Sequence, residues 1–128
     1  MMSLRSDRMM SPYATKPNSD RLAQCIDECN RCYNVCLETI EYCLKAGGRY
    51  EEARHIRHLF DCAEACRTNA SFMLRASDLY RSTCILCAEA CVRCAESCEQ
   101  LQDDANLRLC AEACRSCAES CEQTSMHL

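Results

Sequence analysis

Two segments of the chain, CAEACVRCAESCEQ from Cys87 to Gln100 and CAEACRSCAESCEQ from Cys110 to Gln123, agree at 12 of 14 positions. The fragment CAEACR occurs again at Cys62 to Arg67. In all there are 16 cysteines in 128 residues. Thiolates are soft ligands that select Cu(I), Zn(II) or iron–sulfur clusters, so metal binding is the first chemistry to weigh. Cysteines three and four apart, with no Gly or Pro between them, follow the period of an α-helix, whereas most cysteine-rich metal sites sit on loops.

The helical turn of about 100° per residue gives each sulfur a direction. Cys25, Cys29, Cys32, Cys36 and Cys43 fall within roughly 60° of one another. Cys84, Cys87, Cys91, Cys94 and Cys98 fall within about 80°, and Cys110, Cys114, Cys117 and Cys121 within about 60°. A further seam reads His55, His58, Cys62, Cys66, Asn69 and Met73, with only two thiols. Opposite faces carry Glu, Asp, Arg, Gln and Ser, so Glu89, Glu96, Glu112 and Glu119 read as a solvated back. A single inward cysteine packs as a small hydrophobe and needs no metal. Four aligned seams are different, because thiols bury less apolar area than Leu or Ile and make a thin core.

Four helices are needed to position these seams. Both glycines, Gly47 and Gly48, are adjacent, and both prolines, Pro12 and Pro17, precede Ser19, so the rest of the chain has few breakers. Helices are predicted at about 19–46, 49–75, 78–101 and 104–124. Cap candidates are Asn18 or Ser19, then Ser77 or Asp78, then Asp103 or Asp104, with Gly47 as the stop of the first helix. Short connections force neighbours to be antiparallel, giving an all-α, up-down-up-down four-helix bundle with a cysteine-lined core. Residues 1–18 read as a flexible tail and 19–128 as one metal-binding domain. Because successive helices reverse, His55 and His58 are placed near Cys43, Cys98 and Cys110, and Met73 near Cys25, Cys84 and Cys121. Met73 reads as gap-filling core, and Tyr33, Tyr42, Tyr50 and Tyr80 as packing or rim residues.

Charge discriminates among the metals. Zn(II) held by four thiolates is a doubly negative centre, and the seams offer no Lys or Arg to offset a row of them. Each uncompensated buried ion costs several kcal/mol. Cu(I) at close to one ion per thiolate is nearly neutral. Seven C-x-x-x-C pairs, such as Cys25 with Cys29, Cys32 with Cys36 and Cys94 with Cys98, place sulfurs one turn apart, where two can hold one ion between them. Iron–sulfur runs lie on loops and end in proline, both missing here, so an iron–sulfur or thiol-based redox protein is the alternative. Disulfides suit secreted chains, and the N-terminal sequence shows no apolar run of a secretory signal. The expected compartment is the cytoplasm. A net charge of -4 argues against nucleic acid or an anionic membrane as partner. No H-E-x-x-H, G-x-S-x-G or Gly-rich phosphate loop is present, so no enzyme activity is expected.

Taken together, the four seams, the C-x-x-x-C pairs and the repeated CAEAC and CAESC resemble the cysteine-rich four-helix-bundle copper storage proteins, in the class that lacks an export signal and acts in the bacterial cytosol. The resemblance covers about residues 19–124. It implies storage of many Cu(I) ions inside the bundle and assembly as a homo-oligomer, commonly a tetramer. It also implies that metal enters at one open end marked by His or Met, for which the matching residues are His55 and His58.

Overall fold

The computed structural model describes residues 19–101 and 103–126; the expected tail at 1–18 lies outside them. Helix α1 spans Ser19–Ala46, α2 Ala53–Leu74, α3 Tyr80–Glu99 and α4 Ala105–Met126, with a short 3-10 helix at Gly48–Glu51 between α1 and α2. Each helix packs on its chain neighbours and α4 closes back on α1, which is the antiparallel up-down-up-down bundle. Among the described residues there is no strand.

Local chemistry explains where the helices stop. Gly47 and Gly48 both have positive φ, at 72° and 59°, and the Gly47 N–H bonds to the Cys43 carbonyl at 3.1 Å, closing α1. The predicted start of the second helix at 49 moves to Ala53. Residues 48–51 form a 3-10 turn instead, anchored by Tyr50, whose ring meets Tyr42 edge-on at 6.0 Å and whose hydroxyl donates to Asp104 at 3.1 Å. The Tyr42 hydroxyl donates to the same carboxylate oxygen at 2.5 Å. Asp104 meanwhile caps α4, its Oδ1 accepting from the N–H groups of Asn106 and Leu107 at 2.8 and 3.2 Å.

The third helix begins at Tyr80, not 78, because Ser77 uses its hydroxyl in a local turn, accepting from the Leu79 N–H at 3.1 Å, and does not cap. Helix α2 closes with Ser77 N–H on the Phe72 carbonyl at 3.0 Å and Ala76 N–H on Met73 at 3.2 Å, the pattern of a Schellman motif. The left-handed position of that motif is held by Ala76, at φ 58°. A Cβ there costs roughly 1–2 kcal/mol. Ala76→Gly is therefore expected to stabilise the chain by about 1 kcal/mol in denaturant unfolding, after allowing for the extra freedom glycine gains when unfolded. An unchanged or lowered midpoint would show that the strain is absorbed elsewhere.

The interior is made of sulfur and small side chains. All 16 cysteines are fully buried, and the largest apolar residues sharing that state are Leu22, Leu59, Met73 and Leu107. Ala63, Ala95, Ala111 and Ala118 flank the seams, keeping the helices close enough for sulfurs from opposite corners to meet. The predicted solvated back is also seen, with Glu89 paired to Arg93 at 2.6 Å and Glu99 to Arg115 at 2.8 Å, all exposed.

Candidate metal centre

All four helices deliver sulfur to the bundle axis. Contacts across the diagonals make this plain: Cys29 of α1 lies 4.0 Å from Cys87 of α3, and Cys62 of α2 lies 3.8 Å from Cys114 of α4. Cys62 and Cys91 Sγ lie 3.6 Å apart, far beyond a covalent bridge, and all 16 thiols are free.

The sulfurs form a ladder of overlapping quartets, each with its four Sγ atoms within 4.8 Å of one another. From one end they are Cys36, Cys94, Cys110, Cys114; then Cys32, Cys36, Cys62, Cys114; then Cys32, Cys62, Cys66, Cys91; then Cys66, Cys87, Cys91, Cys117; and finally Cys29, Cys87, Cys117, Cys121. Each quartet shares two sulfurs with the next. Shared thiolates suit a continuous chain of monovalent ions better than isolated tetrahedral centres, since bridging spreads one negative charge over two metals. The C-x-x-x-C pairs are part of this arrangement, but most sulfur contacts run between helices. Within a helix, Cys87 with Cys91 at 3.9 Å and Cys117 with Cys121 at 4.0 Å are such neighbours.

Twelve of the 16 cysteines belong to the quartets, which leaves Cys43 and Cys98 at one end and Cys25 and Cys84 at the other. At the first end, Cys43 Sγ lies 3.4 Å from His55 Nε2, and His55 Nδ1 lies 2.6 Å from Ser97 Oγ. For Nε2 to bind a metal it must be unprotonated, and Nδ1 then donates to Ser97. Burial holds the His55 pKa below the ordinary imidazole value of 6.5, which favours that neutral ring. Burial likewise pushes the Cys43 thiol up to about 11, helped by the neighbouring Cys110 and Asp104. His58 is only half-buried and lines, with His55, Glu52, Arg93 and Glu96, an open cavity of about 350 Å³ outside this end.

At the opposite end Asn69 is fully buried. Its Nδ2 donates to Cys29 Sγ at 3.4 Å and Cys121 Sγ at 3.5 Å, while its Oδ1 accepts from the Thr83 hydroxyl at 2.7 Å, which fixes the amide orientation. Cys29 also accepts from Cys117 at 3.7 Å, the chief reason its pKa is drawn below the ordinary thiol range. Ser97, Thr83 and the Tyr42–Asp104–Tyr50 cluster escape a reading by periodicity, since each acts across helices. Asn69 was legible as a seam residue, though its sulfur partners were not.

The profile of one family, described as copper storage protein, matches residues 18–126. The chain belongs to the copper storage protein family. Among solved structures of similar fold, a Nitrosospira multiformis protein is 42% identical, with a TM-score of 0.79 over 84% of this chain and 96% of its own. The Cu(I)-bound copper storage protein BsCsp3 is 28% identical, with a TM-score of 0.77 over 82% of this chain and 98% of that one. Streptomyces lividans Ccsp, a copper storage protein loaded with 10 copper equivalents, is 28% identical, with a TM-score of 0.80 over 94% of this chain and 96% of its own. No curated protein matches the chain. For a copper storage bundle the donor set fits its cargo: soft, unpaired, buried and, among the described residues, with no buried Lys or Arg.

Proposed function

We propose that this chain sequesters and stores Cu(I) at high capacity, holding many ions along the bundle axis through the thiolates of all 16 cysteines from Cys25 to Cys121. The observation that carries the reading is the ladder of quartets, in which every rung shares sulfur with the next. Each cysteine loses its thiol proton as Cu(I) arrives, so metal replaces proton and the interior stays near neutral. The same bookkeeping disfavours Zn(II), which would leave each four-sulfur rung doubly negative. An iron–sulfur cluster gains no support, because the quartets overlap in a row and do not close on separate cubanes. The chain acts as a binding protein and not as a catalyst.

His55 and His58 serve the end at Cys43 and Cys98 as the port for incoming metal, with the open cavity beside them as its approach. Ser97 is the positioning residue, since its hydroxyl sets which ring nitrogen faces the sulfur. Ser97→Ala is expected to weaken copper at this end by about 10–100-fold, the usual cost of losing the group that orients a ligating imidazole, while the quartets bind as before. Chelators of graded strength read this directly. Equal retention of the weakest-held ions by parent and variant would remove His55 as a ligand. Because His55 titrates below 6.5, its site should hold metal at neutral pH and lose it as pH falls through the lowered value.

Sixteen free thiols need a reducing compartment, which supports the cytoplasm, as does the description of a Streptomyces lividans relative as cytosolic. No described helix is long and apolar enough to cross a membrane. Exposed Phe60, Ile85 and Leu86 on the outer faces of α2 and α3 support association with copies of this chain, and the resemblance implies a tetramer. Capacity is the test of storage itself: a reduced chain that takes up only one or two Cu(I) ions is not a store.

A further inference from the structure

Helix α2 contributes only two thiols, yet its seam runs the full length of the bundle. At its start stands His55, against Cys43. Five turns on, at the same angle round the helix, stands Met73, about 27 Å away along the axis. Met73 is fully buried, and its Sδ lies 4.0 Å from Cys84 Sγ. Cys84 adjoins Cys25 and Cys121, and Cys25 Sγ lies 3.7 Å from Cys121 Sγ. The other large apolar side chains buried to the same degree are leucines, so the one thioether among them stands where it meets an end sulfur.

Resting on the storage reading, we propose that Met73 Sδ, together with Cys84 and Cys25 Sγ, forms a terminal Cu(I) site that closes the sulfur tube at the end opposite His55. Cys25 and Cys84 are the two sulfurs left outside the quartets here. One Cu(I) between two thiolates leaves a net charge of minus one, and a third thiolate would deepen it. A thioether is a soft donor with no charge and no proton to lose, so it completes the ion without that cost. Filling the site breaks two S–H bonds, expels two protons and forms three copper–sulfur bonds, with copper remaining monovalent throughout. Both ends of the tube are then finished by a neutral donor from the same helix.

Selenomethionine-labelled full-length chain, loaded with Cu(I) under anaerobic conditions, gives the test. Selenium K-edge absorption is expected to show a copper scatterer at bonding distance, at the amplitude of one selenium among six. That shell should vanish in Met73→Leu, a swap of similar volume that ordinarily costs under about 1.5 kcal/mol and keeps the helices, as circular dichroism would check. It should vanish also in Cys84→Ser, which leaves the methionine in place. Selenium with no copper neighbour in the fully loaded parent, or a copper shell that persists in Met73→Leu, overturns the assignment while leaving storage intact. Uptake of only one or two ions overall would remove the storage reading, and this site with it.

Discussion

Titration of the fully reduced chain with Cu(I), without oxygen and against a competing chelator, should saturate near or above about ten ions per chain. The estimate follows from the way the sulfurs are shared. Were each ion to take four sulfurs of its own, the 12 sulfurs of the quartets would hold about three ions. Because neighbouring quartets have two sulfurs in common, a thiolate can bridge two coppers, and the ratio rises toward one ion per sulfur. The solution should stay colourless in the visible, since Cu(I) has a filled d shell, and about one proton should leave per thiolate metallated. A plateau at one or two ions, or a brown protein as isolated, would refute storage and restore the iron–sulfur reading.

Copper loading should also raise the thermal midpoint by tens of degrees. A ligand that binds only the folded state adds about 2.7 kcal/mol per site at a hundredfold excess over Kd. One kcal/mol moves the midpoint by about 4–8 °C for a domain of 60–100 residues and somewhat less for a larger one. Several filled rungs therefore outweigh the whole stability of an ordinary small domain, about 5–15 kcal/mol. The apo bundle has room for such a gain, because its centre is sulfur in van der Waals contact at 3.6–4.0 Å where other bundles place branched aliphatic side chains. Scanning calorimetry of apo and loaded protein, with the gain reversed by a strong Cu(I) chelator, checks it. Equal midpoints would mean that copper sits on the surface or binds the unfolded chain as well.

Helix number, direction and the inward seams were legible because a period of three and four fixes the angle of each side chain about its own helix. Axial offset between helices carries no such signature. It is set by turns and caps, so the pairing of Cys32 with Cys62 at 3.7 Å, or of Cys66 with Cys117 at 3.9 Å, is defined only in the folded bundle. The same limit explains the helix starts. Tyr50 is drawn to Asp104, which lies 54 residues away, and that attraction tightens residues 48–51 into a 3-10 turn where helix propensity alone would continue. Ser97 and Thr83 read as ordinary helix-surface polar residues, and each gains its role only from a partner on α2, His55 and Asn69 respectively. A cap at Asp103 or Asp104 was legible, since capping is local, but the choice of Asp104 and its two tyrosine partners was not.

That no Lys or Arg is buried among the described residues has a last consequence. Nothing fixed inside the tube balances the sulfurs, so a cation enters only by evicting another one, and the bundle works as an ion-exchange column a single molecule wide. Its two exchangeable species are hydrogen and monovalent copper, so the acidity of the surroundings sets how far the column fills, and acidification elutes it.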